Sequence, residues 1–360
     1  MTKFNYAVFI GRFQPFHAGH YEVVKAALES AEILIMMIGS ADSPRTEHNP
    51  WTYGERIAII KAAVGDMIDQ IRFRPANDYP YNDSRWVGEI VQNVKDVHQE
   101  EWTAVGRFHA GPKPKNPTVT LIGHKKDHTS YYLDMFPMWD SSGVPHHRDM
   151  SATDIRNALY IGDTSVMSPA AGFFLNDSHK EVVRQLIASN IFSEMQEEGK
   201  FIQKTKEMWA NVPYPVTFVT VDAVVTCAHH VLVVKRRSAP GKGLLAMPGG
   251  YLDVHERIVD SMLRELNEET KIAVPKKVLR GSIKSSKVYD QVERSTRGRI
   301  ITHAFHIDLA LEPNGKLPKV KGSDDAEKAF WLSIGDLKDM KSKFFEDHIH
   351  IIDDILGGVV

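Results

Sequence analysis

Cysteine is nearly absent from this sequence, and other features that would define a protein class are missing too. Cys227 is the only cysteine among 360 residues, which excludes a disulfide framework and cysteine-rich zinc sites. The longest apolar run, Ile33–Ile38, is far shorter than the ~18 residues of a membrane span. The first residues, MTKFNYAVF, lack the apolar core and cleavage site of a signal peptide. We therefore expect no membrane association and a cytoplasmic location.

An excess of charge of one sign is also lacking. The chain has 44 Lys and Arg against 46 Asp and Glu, a net charge of -2, so we expect no nucleic-acid partner. A content of 42% hydrophobic and 25% charged residues excludes a disordered chain. The length exceeds the ~250–300 residues at which single cores stop growing, which favours two domains. Homo-oligomer formation is compatible with this composition.

Short apolar runs alternate with helical patterns in the first half of the chain. The predicted strands are Tyr6–Ile10, Ile33–Ile38 and Val119–Ile122. The predicted helices are His20–Ser30, Thr52–Val64 and Ser84–His98. This alternation predicts an α/β domain with a Rossmann-like, doubly wound parallel sheet. Ligands of such folds bind at the carboxyl ends of the strands, so we expect chemistry in the loops after Ile10, Ile38 and Ile122.

The pattern changes after a helical and charged stretch in the middle of the chain. Asn211–Pro215 contains two prolines, which exclude helix there. Val216–Thr226 and Val231–Lys235 are β-rich and flank a short polar turn, which predicts a hairpin. We predict one domain over residues 1–183, a helical linker over 184–212, and a second domain over 213–360.

A decapeptide rich in glycine, proline and histidine follows the first predicted strand. It reads GRFQPFHAGH, from Gly11 to His20, and it leads into the first predicted helix. Gly11 would let the backbone turn, and His17 and His20 would lie at the helix N-terminus, where free N–H groups favour anions. This placement indicates phosphate chemistry. A metal-binding histidine pair and ordinary core histidines are the alternatives.

The decapeptide resembles the GRFxPFHxGH version of the HxGH motif in archaeal-type nicotinamide mononucleotide (NMN) adenylyltransferases. Met150–Arg156 is similar to the family's ISSTxIR signature, although an alanine stands at its second serine. From the residues alone, Ser151 is a good N-cap, with Asp154 three positions on as in a capping box. Asn49–Arg56 and Gly123–Asp127 resemble further motifs of the family.

The resemblance implies specific roles for residues of the first domain. His17, His20 and Arg156 would be catalytic, and NMN would contact Asn82, Arg45 and Trp86, with Trp86 stacking on the nicotinamide. An ordinary core position is the alternative for Trp86. ATP would contact a larger set: Gly11, Arg12, Phe13, His17, His20, Gly123, Lys125, Asp127, Ser151, Thr153 and Arg156.

An acidic helix face follows the sequence Pro-Gly-Gly in the second half. Glu265, Glu268 and Glu269 lie within an arc of about 80° at 100° per residue. Like charges so placed repel each other, so the face is either a solvated surface or a site for a cation such as Mg²⁺. Gly250, Glu256 and the segment Arg264–Glu269 have the spacing of the Nudix box, GX5EX7REUXEEXGU.

The resemblance to Nudix hydrolases implies an α+β domain in which helices sandwich a mixed sheet. Glu265, Glu268, Glu269 and Gly250 would hold Mg²⁺, or Mn²⁺, with Glu268 a ligand or the catalytic base. Lys271 replaces the glycine of the box at the position that caps the helix, where a left-handed conformation would cost a non-glycine residue about 1 kcal/mol. Arg297 and Arg299 lie in a basic loop where they could bind substrate phosphates or simply be exposed.

Together the two resemblances imply a bifunctional enzyme of NAD metabolism. One domain would join NMN and ATP to give NAD and diphosphate, and the other would hydrolyse ADP-ribose to AMP and ribose 5-phosphate. One alternative substrate is nicotinate mononucleotide. The alternative for the second domain is a Nudix-like sensor that binds ADP-ribose or NAD without cleaving it. The presence of all three box glutamates favours hydrolysis over that alternative.

Overall fold

A computed structural model describes residues 3–105, 116–123, 133–144, 151–323 and 325–360. The chain divides into two units, Met1–Gln196 and Glu197–Val360. The domain boundaries expected at residues 183 and 212 stay predictions. Among the residues described, no helix is long and apolar enough to cross a membrane.

The first unit is built on a five-stranded sheet. Its strands are β1 (Phe4–Gly11), β2 (Ala31–Ile38), β3 (Ile71–Pro75), β4 (Val119–Gly123) and β5 (Asp140–Gly143). They lie in the order β3-β2-β1-β4-β5, and every neighbouring pair is parallel. The helices of this part of the chain are α1 (Ala18–Ser30), α2 (Tyr53–Val64), α3 (Asp83–Val105), α4 (Ala152–Tyr160), α5 (Asp177–Ile187) and α6 (Asn190–Met208).

Helices cover both faces of this sheet. Ala7 and Phe9 of β1 point into one apolar cluster, which α1, α2, α4 and α5 complete. Tyr6 and Val8, the alternate residues, point into a second cluster that α3 completes. Because successive side chains of a strand face opposite ways, a strand buried on both sides must be apolar throughout. The predicted doubly wound parallel sheet is confirmed.

The second unit is built on a seven-stranded mixed sheet. Its strands are β6 (Thr217–Cys227), β7 (His230–Arg236), β8 (Leu245–Ala246), β9 (Gly249–Tyr251), β10 (Ile283–Tyr289), β11 (Arg299–Leu309) and β12 (Ala326–Ser333). Five strands follow the order β10-β11-β6-β7-β12, while β8 pairs with β7 and β9 with β6. The β6–β11 pair is parallel and the other pairs are antiparallel.

Three helices pack around this mixed sheet: α7 (Ile258–Thr270), α8 (Lys276–Gly281) and α9 (His348–Ile355). Met262 and Leu266 of α7 lie in one apolar cluster with Val221 of β6. On α9, the ring of His348 accepts a hydrogen bond from the Met247 backbone at 3.0 Å. The predicted α+β domain with a mixed sheet and packing helices is confirmed.

The predicted hairpin joins β6 to β7. Thr226 pairs with Val231, and Cys227 pairs with His230. The two residues between the strands, Ala228 and His229, have φ values of 44° and 61°. Two left-handed residues give the tight turn that matches the twist of paired strands.

Candidate functional sites

The loop after β1 turns at Phe13 rather than at Gly11. Phe13 has a φ of 54°, in the left-handed region that side chains rarely adopt. Its ring lies over Gly11, so that a Cβ on Gly11 would be 2.8 Å from Phe13 Cζ. Gly11 is therefore required for the close approach of the ring, and the sharp turn expected at Gly11 belongs to Phe13.

His17 and His20 form a reciprocal capping box at the N-terminus of α1. His17 Nδ1 accepts a hydrogen bond from the Gly19 backbone at 3.1 Å, and His20 Nδ1 accepts one from the His17 backbone at 3.3 Å. The two rings lie 3.9 Å apart between centroids. Because each Nδ1 accepts, the proton of each neutral imidazole resides on Nε2. Two imidazole Nε2–H donors are thus fixed at a helix start, a position that favours anions.

Arg156 holds the same loop from α4. It is 4% exposed, and it donates to the Gln14 carbonyl at 2.6 Å and to Thr153 Oγ1 at 3.2 Å. Burial lowers the pKa of Arg156 to about 10, so the group stays cationic at neutral pH. Ser151 caps α4 by accepting from the Thr153 backbone at 3.1 Å. The cap is this single bond and not the reciprocal box expected with Asp154.

The other residues predicted to bind ATP are only partly placed by the structure. Arg12 is exposed in the loop after β1, and Gly123 ends β4, the strand beside β1. The Gly123 carbonyl accepts from the Val144 backbone at 3.1 Å. Lys125 and Asp127 lie outside the described residues, so their roles stay predictions.

The three residues predicted to bind NMN have defined local roles. Asn82 caps α3, because its Oδ1 accepts from the Arg85 backbone at 3.0 Å. Arg45 donates to the Pro50 carbonyl at 2.9 Å and forms an ion pair with Glu55 at 2.7 Å. Trp86 is half-buried against a hydrophobic cluster, 5.7 Å from the Phe136 ring between centroids. Substrate contact for these residues stays a prediction.

In the second unit, two consecutive glycines of β9 meet two glutamates of α7. A Cβ on Gly250 would lie 2.6 Å from the Glu265 carboxyl carbon, so a larger residue there would displace the Glu265 carboxylate from its present position. The Gly249 backbone donates to Glu269 Oε2 at 3.0 Å. Burial raises the pKa of Glu269 to about 8, and the negative charge of Glu265 adds to this effect. The Pro-Gly-Gly sequence therefore places backbone directly against the acidic face of the helix.

Arg264 forms ion pairs with three carboxylates of the box. Its guanidinium lies 2.8 Å from an oxygen of each of Glu256, Glu265 and Glu268. The hydrogen bond that Arg264 donates to Glu256, followed by those that it donates to Glu265 and Glu268, raises the pKa of Arg264 above its ordinary value. This geometry is the ion pairing that we expect of a structural arginine.

The donor set of this cluster suits a hard divalent cation. Glu265, Glu268 and Glu269 supply carboxylate oxygens, the ligands that Mg²⁺ prefers, and the lack of a side chain at Gly250 lets the Glu265 carboxylate lie against the backbone. Across the described ranges, no three acidic, histidine or cysteine side chains converge as a finished metal site. The guanidinium of Arg264 balances part of the negative charge of Glu256, Glu265 and Glu268.

The basic loop before β11 is tied into the second unit. Arg297 pairs with Glu346 at 3.1 Å, and its guanidinium carbon lies 5.9 Å from the centre of the Tyr251 ring. Arg299 donates to the carbonyls of Asp290 and Gln291 at 2.6 and 3.2 Å. Arg297 is thus fixed beside Tyr251, whereas Arg299 is the first residue of β11 and not part of the loop as expected, and its guanidinium binds carbonyls of the loop before the strand.

Comparisons with known proteins give the same division of the chain. A cytidylyltransferase-like family model matches residues 8–137, and a NUDIX domain model matches residues 216–355. A nicotinamide/nicotinic acid mononucleotide adenylyltransferase of Acinetobacter baylyi is 38% identical over 45% of this chain and 79% of its own length. An ADP-ribose pyrophosphatase of Methanocaldococcus jannaschii is 30% identical over 48% of this chain and 91% of its own length.

A solved structure matches this chain across both units. It is a crystal structure of a bifunctional NMN adenylyltransferase/ADP ribose pyrophosphatase from Francisella tularensis, complexed with AMP and a manganese ion. Its TM-score is 0.86 and its identity 30%, over 98% of both chains. The chain belongs to the bifunctional NMN adenylyltransferase/ADP-ribose pyrophosphatase family. Both family resemblances expected from the motifs are thereby confirmed.

Several residues around the two sites were missed by sequence reasoning. Gln14 is 1% exposed, and its side-chain amide exchanges hydrogen bonds with the backbone of Trp51 at 2.8 and 3.1 Å. Asp222 is buried on β6, where burial raises its pKa to about 6 and Thr302 donates to it. Glu346 adopts a φ of 44° while it binds Arg297. A polar residue inside an apolar strand, as with Asp222, is the one signal that could have been noticed.

Proposed function

We propose that this member of the family carries both activities. The first unit would transfer AMP from ATP to NMN, giving NAD and diphosphate, and the second would hydrolyse ADP-ribose to AMP and ribose 5-phosphate. One observation carries the proposal: a single chain holds a histidine-capped helix start after β1 and a carboxylate cluster against Gly249 and Gly250.

In the first reaction, a phosphate oxygen of NMN attacks the α-phosphorus of ATP. The bond from that phosphorus to the bridging oxygen breaks, and diphosphate leaves with the electron pair. His17 and His20 would donate from Nε2 to phosphate oxygens, and Arg12 would neutralise their charge. No covalent enzyme intermediate is needed, because fixed donors that match the developing charge account for this kind of catalysis.

In the second reaction, water attacks a phosphorus of the diphosphate and AMP or ribose 5-phosphate leaves. Glu265, Glu268, Glu269 and the Gly250 carbonyl would hold Mg²⁺ or Mn²⁺. Such a cation neutralises the diphosphate and makes the attacking water more acidic. Arg264 positions Glu265 and Glu268, the Gly249 N–H fixes Glu269, and Glu268 is the residue that we assign as a ligand or as the acceptor of the water proton.

Substrate binding in the second unit would use the loop before β11. Arg297, held by Glu346 beside Tyr251, would contact a phosphate of ADP-ribose. We give Arg299 the weaker role of bracing this loop, because its guanidinium is already used on backbone carbonyls.

Two assays test the proposal on one preparation of the chain. ATP with NMN should give NAD and diphosphate, and ADP-ribose should give AMP and ribose 5-phosphate, each with Mg²⁺, with Mn²⁺ or with EDTA. EDTA should abolish hydrolysis. Absence of NAD formation would refute the first assignment, and binding of ADP-ribose without cleavage would make the second unit a sensor.

Nicotinate mononucleotide is a second candidate substrate of the first unit. The Acinetobacter baylyi relative is named for both the nicotinamide and the nicotinic acid mononucleotide. Comparing kcat/KM for the two mononucleotides at one ATP concentration decides which substrate this chain prefers.

A further inference from the structure

Arg56 is a cation buried without a carboxylate at hydrogen-bond distance. It lies on α2 and is 0% exposed, and no ion pair to it occurs in the described part of the chain. Its guanidinium donates instead to four backbone carbonyls. These belong to Arg12 at 2.8 Å, Gly39 at 2.5 Å, Ser40 at 3.1 Å and Thr52 at 3.3 Å.

Three of these carbonyls belong to two different loops. Arg12 lies in the loop after β1, and Gly39 and Ser40 begin the loop after β2, the neighbouring parallel strand. A backbone bond from Gly39 to the carbonyl of Gly11, the last residue of β1, at 2.8 Å also joins the start of the loop after β2 to the start of the loop after β1. One planar guanidinium therefore spans both loops at the edge of the sheet where α/β folds bind ligands.

The hydrogen bonds from Arg56 stabilise the loop after β2, in which Ser40 has a strained backbone conformation. Its φ is 50°, in the left-handed region that favours glycine. Arg56 binds the Ser40 carbonyl, and the Ser40 hydroxyl donates to Asp78 at 3.1 Å. Surrounding contacts of this kind hold strained residues at functional sites in place.

Arg56 keeps its positive charge although it is buried. Burial lowers the pKa of Arg56 to about 10, and the nearby Arg12 guanidinium lowers it further, while Asp78 opposes both effects. Arg56 therefore remains cationic at neutral pH. An apolar side chain would fill the space without the desolvation penalty of a buried cation, so packing alone does not explain an arginine here.

We propose that Arg56 is a positioning residue for adenylyl transfer, which fixes the loop carrying Arg12 and His17 against the loop that begins at Gly39. This inference rests on the proposed function of the first unit. Misplacement of reacting groups by about 1 Å can reduce turnover roughly 100-fold, so a tie between loops is enough to matter.

Arg56→Lys and Arg56→Gln separate the charge from the geometry. Lysine keeps the charge, but its single nitrogen cannot reach the carbonyls of Arg12, Gly39 and Ser40 in the same planar arrangement. Glutamine keeps an amide donor and loses the charge. We expect both variants to lower kcat for NAD synthesis about 10–100-fold, while ADP-ribose hydrolysis in the same preparation changes less than about two-fold.

Arg72→Lys is the matched control. Arg72 also donates to backbone carbonyls, those of Asp69 and Ile71, and it pairs with Glu101. However, it stands near the amino end of β3, whereas the loops after β1 and β2 leave from carboxyl ends. We expect its NAD synthesis to match that of the wild-type chain.

Hydrogen exchange on the full chain provides the readout that a general loss of stability would not reproduce. In Arg56→Lys, peptides covering residues 8–16 and 37–44 should exchange faster, while peptides covering α1 should not change. Faster exchange throughout the first unit, or lowered turnover with unchanged loop exchange, would overturn the positioning role.

Failure of the proposed NAD synthesis can be distinguished from failure of the role proposed for Arg56. A wild-type chain that makes no NAD overturns the proposed function and the role of Arg56 with it. An active wild-type chain whose Arg56 variants keep normal kcat overturns only the role of Arg56.

Discussion

Replacing Glu269 by glutamine should abolish most of the hydrolysis while leaving the fold intact. The amide keeps the size of the side chain and can still accept the 3.0 Å hydrogen bond from the Gly249 backbone. It removes one negative charge from the cluster, and a neutral amide is a poorer ligand for a hard cation. A loss of about 3 kcal/mol of charge stabilisation corresponds to a roughly 100-fold lower rate.

The same substitution should slightly stabilise the chain in the absence of metal. Glu265 and Glu269 are four residues apart on α7, and at a pH above 8, where Glu269 is ionised, relief of their repulsion is worth about 0.2–0.5 kcal/mol. For a unit of this size, that corresponds to a rise in Tm of about 1 °C. Burial disfavours the ionised form of Glu269 and raises its pKa, and the neutral amide of Glu269→Gln avoids this cost, which also favours the folded state.

The assay measures ADP-ribose hydrolysis, NAD synthesis and the Tm of the metal-free protein in one preparation of Glu269→Gln. Asp260→Asn is the control, because Asp260 begins the same helix but pairs with Arg280. It should keep both activities. Normal hydrolysis by Glu269→Gln would refute the metal assignment, and a parallel loss of NAD synthesis would refute the independence of the two units.

Four further predictions concern single side chains. His17→Asn retains a good N-cap but loses the imidazole, so NAD synthesis should fall about 100–1,000-fold while ADP-ribose hydrolysis stays intact. We expect the same result for His17→Ala and His20→Ala. Near-normal NAD synthesis in these variants would show that the histidines are structural. Trp86→Ala should raise KM for NMN more than for ATP in steady-state kinetics, whereas equal rises would indicate a core role. Lys271 has a φ of 42°, so Lys271→Gly should raise stability by about 0.5–1 kcal/mol in urea unfolding, and a loss of stability would contradict the strain. Burial lowers the pKa of His179 to about 4, so the unfolded chain binds more protons than the folded one between pH 6.5 and 4. Acidification through that range should remove up to about 3 kcal/mol of stability, and a His179→Gln chain should show a flatter pH profile in thermal melts.

The sequence predicted the first sheet in part, for reasons that lie in its strands. β1 and β2 are buried on both faces and are continuous apolar runs, which are easily recognised. β5 has the sequence Asp-Ser-Ser-Gly and pairs with β4 through its backbone, so no hydrophobic pattern marks it. β3 alternates arginine with apolar residues over five positions, too short for a firm prediction.

The site was predicted where chemistry depends on residue spacing, and missed where it depends on backbone conformation. The histidine pair and the three glutamates follow from helical geometry. The left-handed φ of Phe13 and the carbonyls that Arg56 binds depend on how neighbouring loops meet, and no local pattern encodes that. Lys271 lies between these cases, because the box predicts a left-handed cap at its position and the structure has one.

The presence of two separately cored units in one chain has a consequence for the cell. Each round of translation yields one copy of each unit, so transcription cannot change the ratio of the two sites. The balance between making and removing nucleotides must then be set by the turnover and affinity of each site. Because each unit buries its own core, we expect a substitution that tunes one rate to leave the folding of the other unit undisturbed, so that selection can adjust the two rates separately.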